Sequence, residues 1–123
     1  MKIINEKEIT PIHLPGRDVF NLVTPENTGC KRFSIGIDII SKDGGTKPPH
    51  CHPKSTEVVY LISGKLKVID GEGKFHYIRS GDIVYLPPGT VHYFKNVGEK
   101  EAKILFCYSP PVKTSEWIEI KKV

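Results

Sequence analysis

The stretch GGTKPPHCHPKSTEVVYLISG, Gly44 to Gly64, sets His50 and His52 two residues apart and Glu57 five further on. In an extended segment alternate side chains point the same way, with Cα atoms about 6.6 Å apart, so both imidazoles can converge on one ion while Cys51 points away. The strand that follows, Thr56 to Ser63, is apolar on both faces apart from Glu57: Val59 and Leu61 lie on one side, Val58, Tyr60 and Ile62 on the other. A strand apolar on both faces is covered twice, by a second sheet or by a partner subunit. A carboxylate among such residues needs a charge partner, and a bound cation supplies one.

Further along, GDIVYLPPGTVHYFKN, Gly81 to Asn96, carries His92 just beyond a Pro-Pro-Gly turn that aims the start of a new strand. Three histidines and one glutamate form a borderline-to-hard donor set without thiolate. It suits one divalent transition metal, Mn, Fe, Ni, Co or Zn, rather than a cysteine-rich structural zinc. Four protein ligands leave two positions open on a six-coordinate ion, the starting geometry for metal-assisted chemistry. An isolated strand histidine is ordinarily a surface or hydrogen-bonded residue, and His13 and His76 are read that way.

Outside these two segments the hydrophobic pattern is almost wholly period two, broken by Gly and Pro, and no helical stripe of ten residues stands out. Phe33, Ile35, Ile37 and Ile39 alternate with Arg32, Ser34, Gly36 and Asp38, which predicts a strand whose isoleucine face lies in the core. A turn is expected at Asp43–Gly45. Gly64, Asp70–Gly73, Ser80–Gly81, Pro87–Gly89 and Gly98 then divide the chain into short runs of roughly eight to twelve residues, the spacing of a sandwich or barrel. The reading is an all-β chain with little helix, one domain over residues 1–123, with N-terminal strands in 1–43, a metal-binding core in 44–96, and a C-terminal strand and tail in 101–123.

Taken together, the two segments resemble the cupin superfamily. Gly44, His50, His52, Glu57 and Gly64 match its first motif, and Gly81, Pro87, Gly89, His92 and Asn96 its second, with sixteen residues between them. The resemblance implies a jelly-roll β-barrel (a double-stranded β-helix) with His50, His52, Glu57 and His92 as metal ligands. It implies turn roles for Gly64, Gly81, Pro87 and Gly89; Asn96 reads as a strand-end hydrogen-bonding residue. Members of the superfamily include oxygenases, decarboxylases, isomerases, lyases and non-catalytic binding proteins, so the fold does not settle the activity.

By strand parity, His92, Phe94 and Asn96 share the inward face, Glu57, Val59 and Leu61 line the barrel, and Ala102, Ile104, Phe106 and Tyr108 complete it. The expected cavity is largely apolar, with no Lys or Arg directed inward and no acid or base beside the metal other than Glu57. Lys47, Arg32 and Tyr85 are expected at the mouth. The leading reading is a metal-dependent enzyme on a small carboxylate, keto acid, enediol or sugar derivative, with Glu57 or a tyrosine at the mouth assisting proton movement. The alternative is a non-catalytic small-molecule-binding or sensing module in which the metal is an anchor or structural clip.

Composition narrows the partners. The net charge of +4 comes from dispersed Lys, with nothing denser than Lys121–Lys122, which argues against nucleic acid. No apolar run approaches 18 residues and the N-terminus lacks a secretory segment, so a cytoplasmic protein without membrane attachment is expected. Cys30, Cys51 and Cys107 are odd in number and far apart, as in a reducing compartment. A homodimer is expected from the second apolar face at Val58, Tyr60 and Ile62 and from an apolar tail around Trp117 that needs a dock.

Overall fold

The structure, a computed structural model, describes residues 1–112 and 118–119. The strands are β1 (Ile12–Leu14), β2 (Arg17–Val23), β3 (Ser34–Ile40), β4 (His50–Cys51), β5 (Thr56–Ser63), β6 (Lys65–Asp70), β7 (Phe75–Arg79), β8 (Ile83–Leu86), β9 (His92–Asn96), β10 (Ala102–Ser109) and β11 (Ile118–Glu119). One sheet runs β1-β2-β3-β10-β5-β8 and the other β11-β4-β9-β6-β7. Among the described residues helix is confined to a 3-10 turn at Glu6–Glu8 and one short α-helix, Pro25–Thr28, closed by a Thr24 capping box. The all-β jelly-roll expectation is met.

Alternation explains the core. Val59 and Leu61 of β5, Ile104 and Phe106 of β10, and Phe94 of β9 project between the sheets with Leu66 and Leu86, all nearly or fully buried. Gly36 admits the Phe106 ring: a Cβ there would lie 2.3 Å from its Cζ. Asn96, 1% exposed, fastens the far end of the barrel. Its Nδ2 donates to the carbonyls of Ile40, Ser41 and Lys100, and its Oδ1 accepts from Gly98 N–H. The strand-end role expected of Asn96 is the one observed.

On β3 the expected orientation is reversed. Asp38 stands opposite Ile104 in the ladder, and Ile40 opposite Ala102, so Ser34, Gly36, Asp38 and Ile40 face the interior. Ile35, Ile37 and Ile39 lie on the outer face, where Leu105 and Phe20 are the neighbours of Ile37. The outer surface of this sheet is itself apolar, so period-two patterning alone could not tell inside from outside. Part of it is covered by the N-terminal segment, held by Glu6 to Lys103 at 2.6 Å. Val58, Tyr60 and Ile62 continue the outer face, beside Tyr85 and Ile83 of the edge strand β8. Trp117 lies outside the described residues, whereas the backbone of Ile118–Glu119 pairs with β4.

Candidate metal centre

Three elements converge at one end of the barrel. His50 on β4 is the direct cross-strand partner of His92 on β9, which brings together two residues far apart in the chain. His52 follows β4, where its carbonyl accepts from Gly89 N–H at 3.0 Å, so the backbones of the two motifs are joined beside the site. Glu57 enters from β5 in the opposite sheet, directly across from Tyr108 of β10. The candidate ligand nitrogens of the three histidines lie within 4.8 Å of one another, and all three residues are buried. Glu57 adjoins this trio, its Oε1 being 2.9 Å from His92 Nε2 and 3.8 Å from His52 Nε2.

The tautomers follow from what each ring touches. His50 Nδ1 lies 2.8 Å from the Pro48 carbonyl and His92 Nδ1 2.9 Å from the Thr90 carbonyl. A carbonyl can only accept, so both Nδ1 atoms donate and the neutral tautomer presents Nε2 as a lone pair. Burial, with a smaller push from His92, lowers the His50 pKa from 6.5 to about 4, and burial likewise lowers that of His52. These are imidazoles held neutral, the form that binds metal.

The residues present fit a cation. His52 Nδ1 and Nε2 and Glu57 Oε1 are buried without a hydrogen-bond partner. His92 Nε2 lies 2.9 Å from a carboxylate oxygen of Glu57. Two such acceptors repel one another unless a proton or a cation lies on them, and a divalent ion satisfies all of these atoms at once. Cys51, though buried between the two histidines, is outside the cluster, as the extended register requires. His13 is exposed and pairs with Asp18, and His76 is exposed on β7.

The cavity walls correct the apolar expectation. Around His50, Glu57 and His92 they include Arg17, Asp38, Thr46 and Tyr108 as well as Phe94 and Ile104. Burial, reinforced by the Glu57 charge and opposed by Arg17, raises the Asp38 pKa from 3.8 to about 7. Tyr108 is pushed well above the ordinary phenol value, first by burial and then by the Glu57 carboxylate that its hydroxyl addresses. Arg17 and Asp38, a cation and an acid, thus join the expected Tyr108 phenol in the wall beside the histidine cluster. The signal that was available lay in β3, where a burial-facing Asp38 was read as the solvent face. Arg17 has the parity of Val19 and of Ile40, its cross-strand partner. Of the residues assigned to the mouth, Tyr85 is 67% exposed on the outer face, and Lys47 instead lies over the Tyr93 ring.

Comparison with known proteins agrees with this architecture. A family model described as a cupin domain matches residues 38–108. The chain belongs to the cupin family. It is 34% identical over 109 residues to polyketide synthase CurC of Streptomyces cyaneus, covering 89% of this chain and 70% of that one. It is also 34% identical over 102 residues to oxalate oxidase GF-2.8 of Triticum aestivum, covering 76% of this chain but only 46% of the longer wheat protein. Among solved structures, the polyketide cyclase RemF of Streptomyces resistomycificus superposes with a TM-score of 0.80 at 18% identity, over 98% of this chain and 85% of that one. No helix among the described residues is long and apolar enough to cross a membrane.

Proposed function

We propose that this cupin is a metal-dependent enzyme acting on a small oxygenated metabolite, with His50, His52, Glu57 and His92 holding one divalent ion of the Mn, Fe, Ni, Co or Zn group. The observation that carries the reading is the buried cluster of His50, His52 and His92 with Glu57 Oε1 2.9 Å from His92 Nε2, beside a His52 ring whose nitrogens have no hydrogen-bond partner. When bound, the ion supplies Lewis-acid polarisation of substrate oxygen, or an O₂-binding centre. Glu57, addressed by Tyr108, is the residue of this set suited to exchange a proton with substrate. Phe94 and Ile104 exclude water, and Asp38 adds a second titratable group to the cavity wall.

Size supports a small substrate. The cavity has a volume of about 30 Å³, room for an ion and one or two water-sized atoms. Oxalate and polyketides, the compounds in the names of two relatives, are both oxygen-rich carbon compounds. Calorimetry with oxalate, on metal-loaded and metal-free protein, tests the reading together with turnover of a small carboxylate and sugar panel followed by NMR. Oxalate is expected to bind the metal-free form at least about tenfold more weakly, a loss of about 1.4 kcal/mol. Binding that needs the metal but never leads to turnover would point to the sensing module instead.

The oligomeric reading is a homodimer through the outer face of the six-stranded sheet. Tyr60 is 41% exposed opposite Ile83 at 63%, and Tyr85 stands beside Val58, a contiguous apolar patch on an edge strand.

A further inference from the structure

Arg17 and Asp38 lie on adjacent strands with their side chains inside the barrel, 12% and 10% exposed. Their nearest polar atoms, Arg17 Nε and Asp38 Oδ2, are 3.8 Å apart, too far for a hydrogen bond. Arg17 Nε and Asp38 Oδ1 are both fully buried and neither has a hydrogen-bond partner among the described residues. A pair serving only to fasten β2 to β3 would close that gap, because desolvating two charged groups is repaid only at contact geometry. Here the donor and the acceptor are left unmade, and both side chains line the cavity that holds His50, Glu57 and His92.

The placement of Arg17 is built into the backbone. Gly16, at φ 81°, packs so closely on the first motif that a Cβ on Gly44 would lie 2.2 Å from its carbonyl oxygen. That oxygen accepts from both Ser41 N–H and Ser41 Oγ at 3.1 Å. Arg17 Nη1 then reaches the Gly45 carbonyl at 3.4 Å. The guanidinium is therefore anchored from the side facing the motif, on a side chain that lines the cavity.

The two unmade groups select a chemistry. A carboxylate would satisfy Arg17 but crowd the Asp38 oxygen, and an ammonium would do the reverse. A hydroxyl or enol accepts from one and donates to the other. We propose that Arg17 and Asp38 form a hydroxyl-reading subsite of the metal cavity, so that the substrate is a small oxyacid carrying a hydroxyl or enol next to its metal-chelating oxygens. This rests on the metal-dependent reading above and adds the substrate class. A site built to hydrogen-bond a hydroxyl rejects the analogue that lacks it, because its own buried groups are then left unpaired.

The experiment compares 3-hydroxypyruvate with pyruvate by calorimetry on the Mn²⁺-loaded full chain. Both keto acids can chelate the ion, and they differ by one hydroxyl. The unaltered protein is expected to bind 3-hydroxypyruvate at least about tenfold more tightly. Arg17→Met and Asp38→Leu should each bring the ratio to about two or less, with manganese stoichiometry unchanged. Should either variant fail to fold, Arg17→Gln and Asp38→Asn are the milder pair, each expected to cut the ratio at least about threefold. Equal binding of the two keto acids by the unaltered protein, or a preference untouched by every variant, overturns the subsite. Failure of the Mn²⁺-loaded protein to bind either keto acid overturns instead the metal-anchored reading beneath it.

Discussion

Glu57 Oε1 lies 2.9 Å from His92 Nε2, on a ring whose Nδ1 donates to the Thr90 carbonyl. A carboxylate oxygen and an imidazole nitrogen at that distance are held by a proton or a cation between them, and two further buried histidines beside them offer a cation its remaining ligands. Glu57→Gln keeps the shape and removes the charge. It is expected to weaken divalent-metal affinity by at least about tenfold, whereas the exposed His13→Ala should leave it unchanged. Competition with a chromogenic chelator measures both, and an unaltered affinity in Glu57→Gln would remove Glu57 from the ligand set.

Metal-free protein should show opposing pH dependences from two buried groups. His50, lowered from 6.5 to about 4, contributes stability that is present above pH 6.5 and lost as pH falls through 4. Asp38, raised from 3.8 to about 7, contributes stability that is present below pH 3.8 and lost as pH rises through 7. Between pH 4 and 6.5 the two nearly cancel, each state holding the same number of their protons. Asp38→Asn removes one arm. Its stability should therefore rise with pH across that window more steeply than the unaltered chain's, by up to about 1.4 kcal/mol per pH unit. Urea denaturation of both metal-free proteins at several pH values reads the difference. Parallel curves would show that Asp38 is not held protonated.

Asn96 separates scaffold from site. Its side chain satisfies three carbonyls and one N–H in a buried position, so Asn96→Ala should cost about 2 kcal/mol or more of stability. Metal stoichiometry of the folded fraction should not change. A loss of metal at intact stability would move Asn96 into the site.

Association is expected to depend on the outer sheet face. A Tyr60→Glu and Tyr85→Glu double variant places two charges on the exposed patch beside Ile83. Light scattering at micromolar concentration should give a dimeric mass for the unaltered protein and a monomeric mass for the variant. A monomer in both would remove the dimer.

The parts legible in the sequence were those with rigid local rules. His50, His52, Glu57 and His92 stood out because their spacing survives folding: His50 and His92 meet as one cross-strand pair, and Gly89 N–H bonds the His52 carbonyl. The inward parity of β9 and β10 also followed directly from alternation. Where alternation failed was β3, whose Ile35, Ile37 and Ile39 lie on the outer face and whose Asp38 faces the interior. That inversion hid Asp38 from the cavity wall. Arg17 was missed for a related reason, since a lone cation on a short strand carries no periodic signal until the strand's cross-strand partner is known.

The central claim is that the histidine trio with Glu57 holds one metal ion, and elemental analysis of protein purified without chelators tests it most directly. One divalent transition-metal ion per chain is expected in the unaltered protein and none in the His50→Ala, His92→Ala double variant. The same metal content in a folded double variant would contradict the assignment.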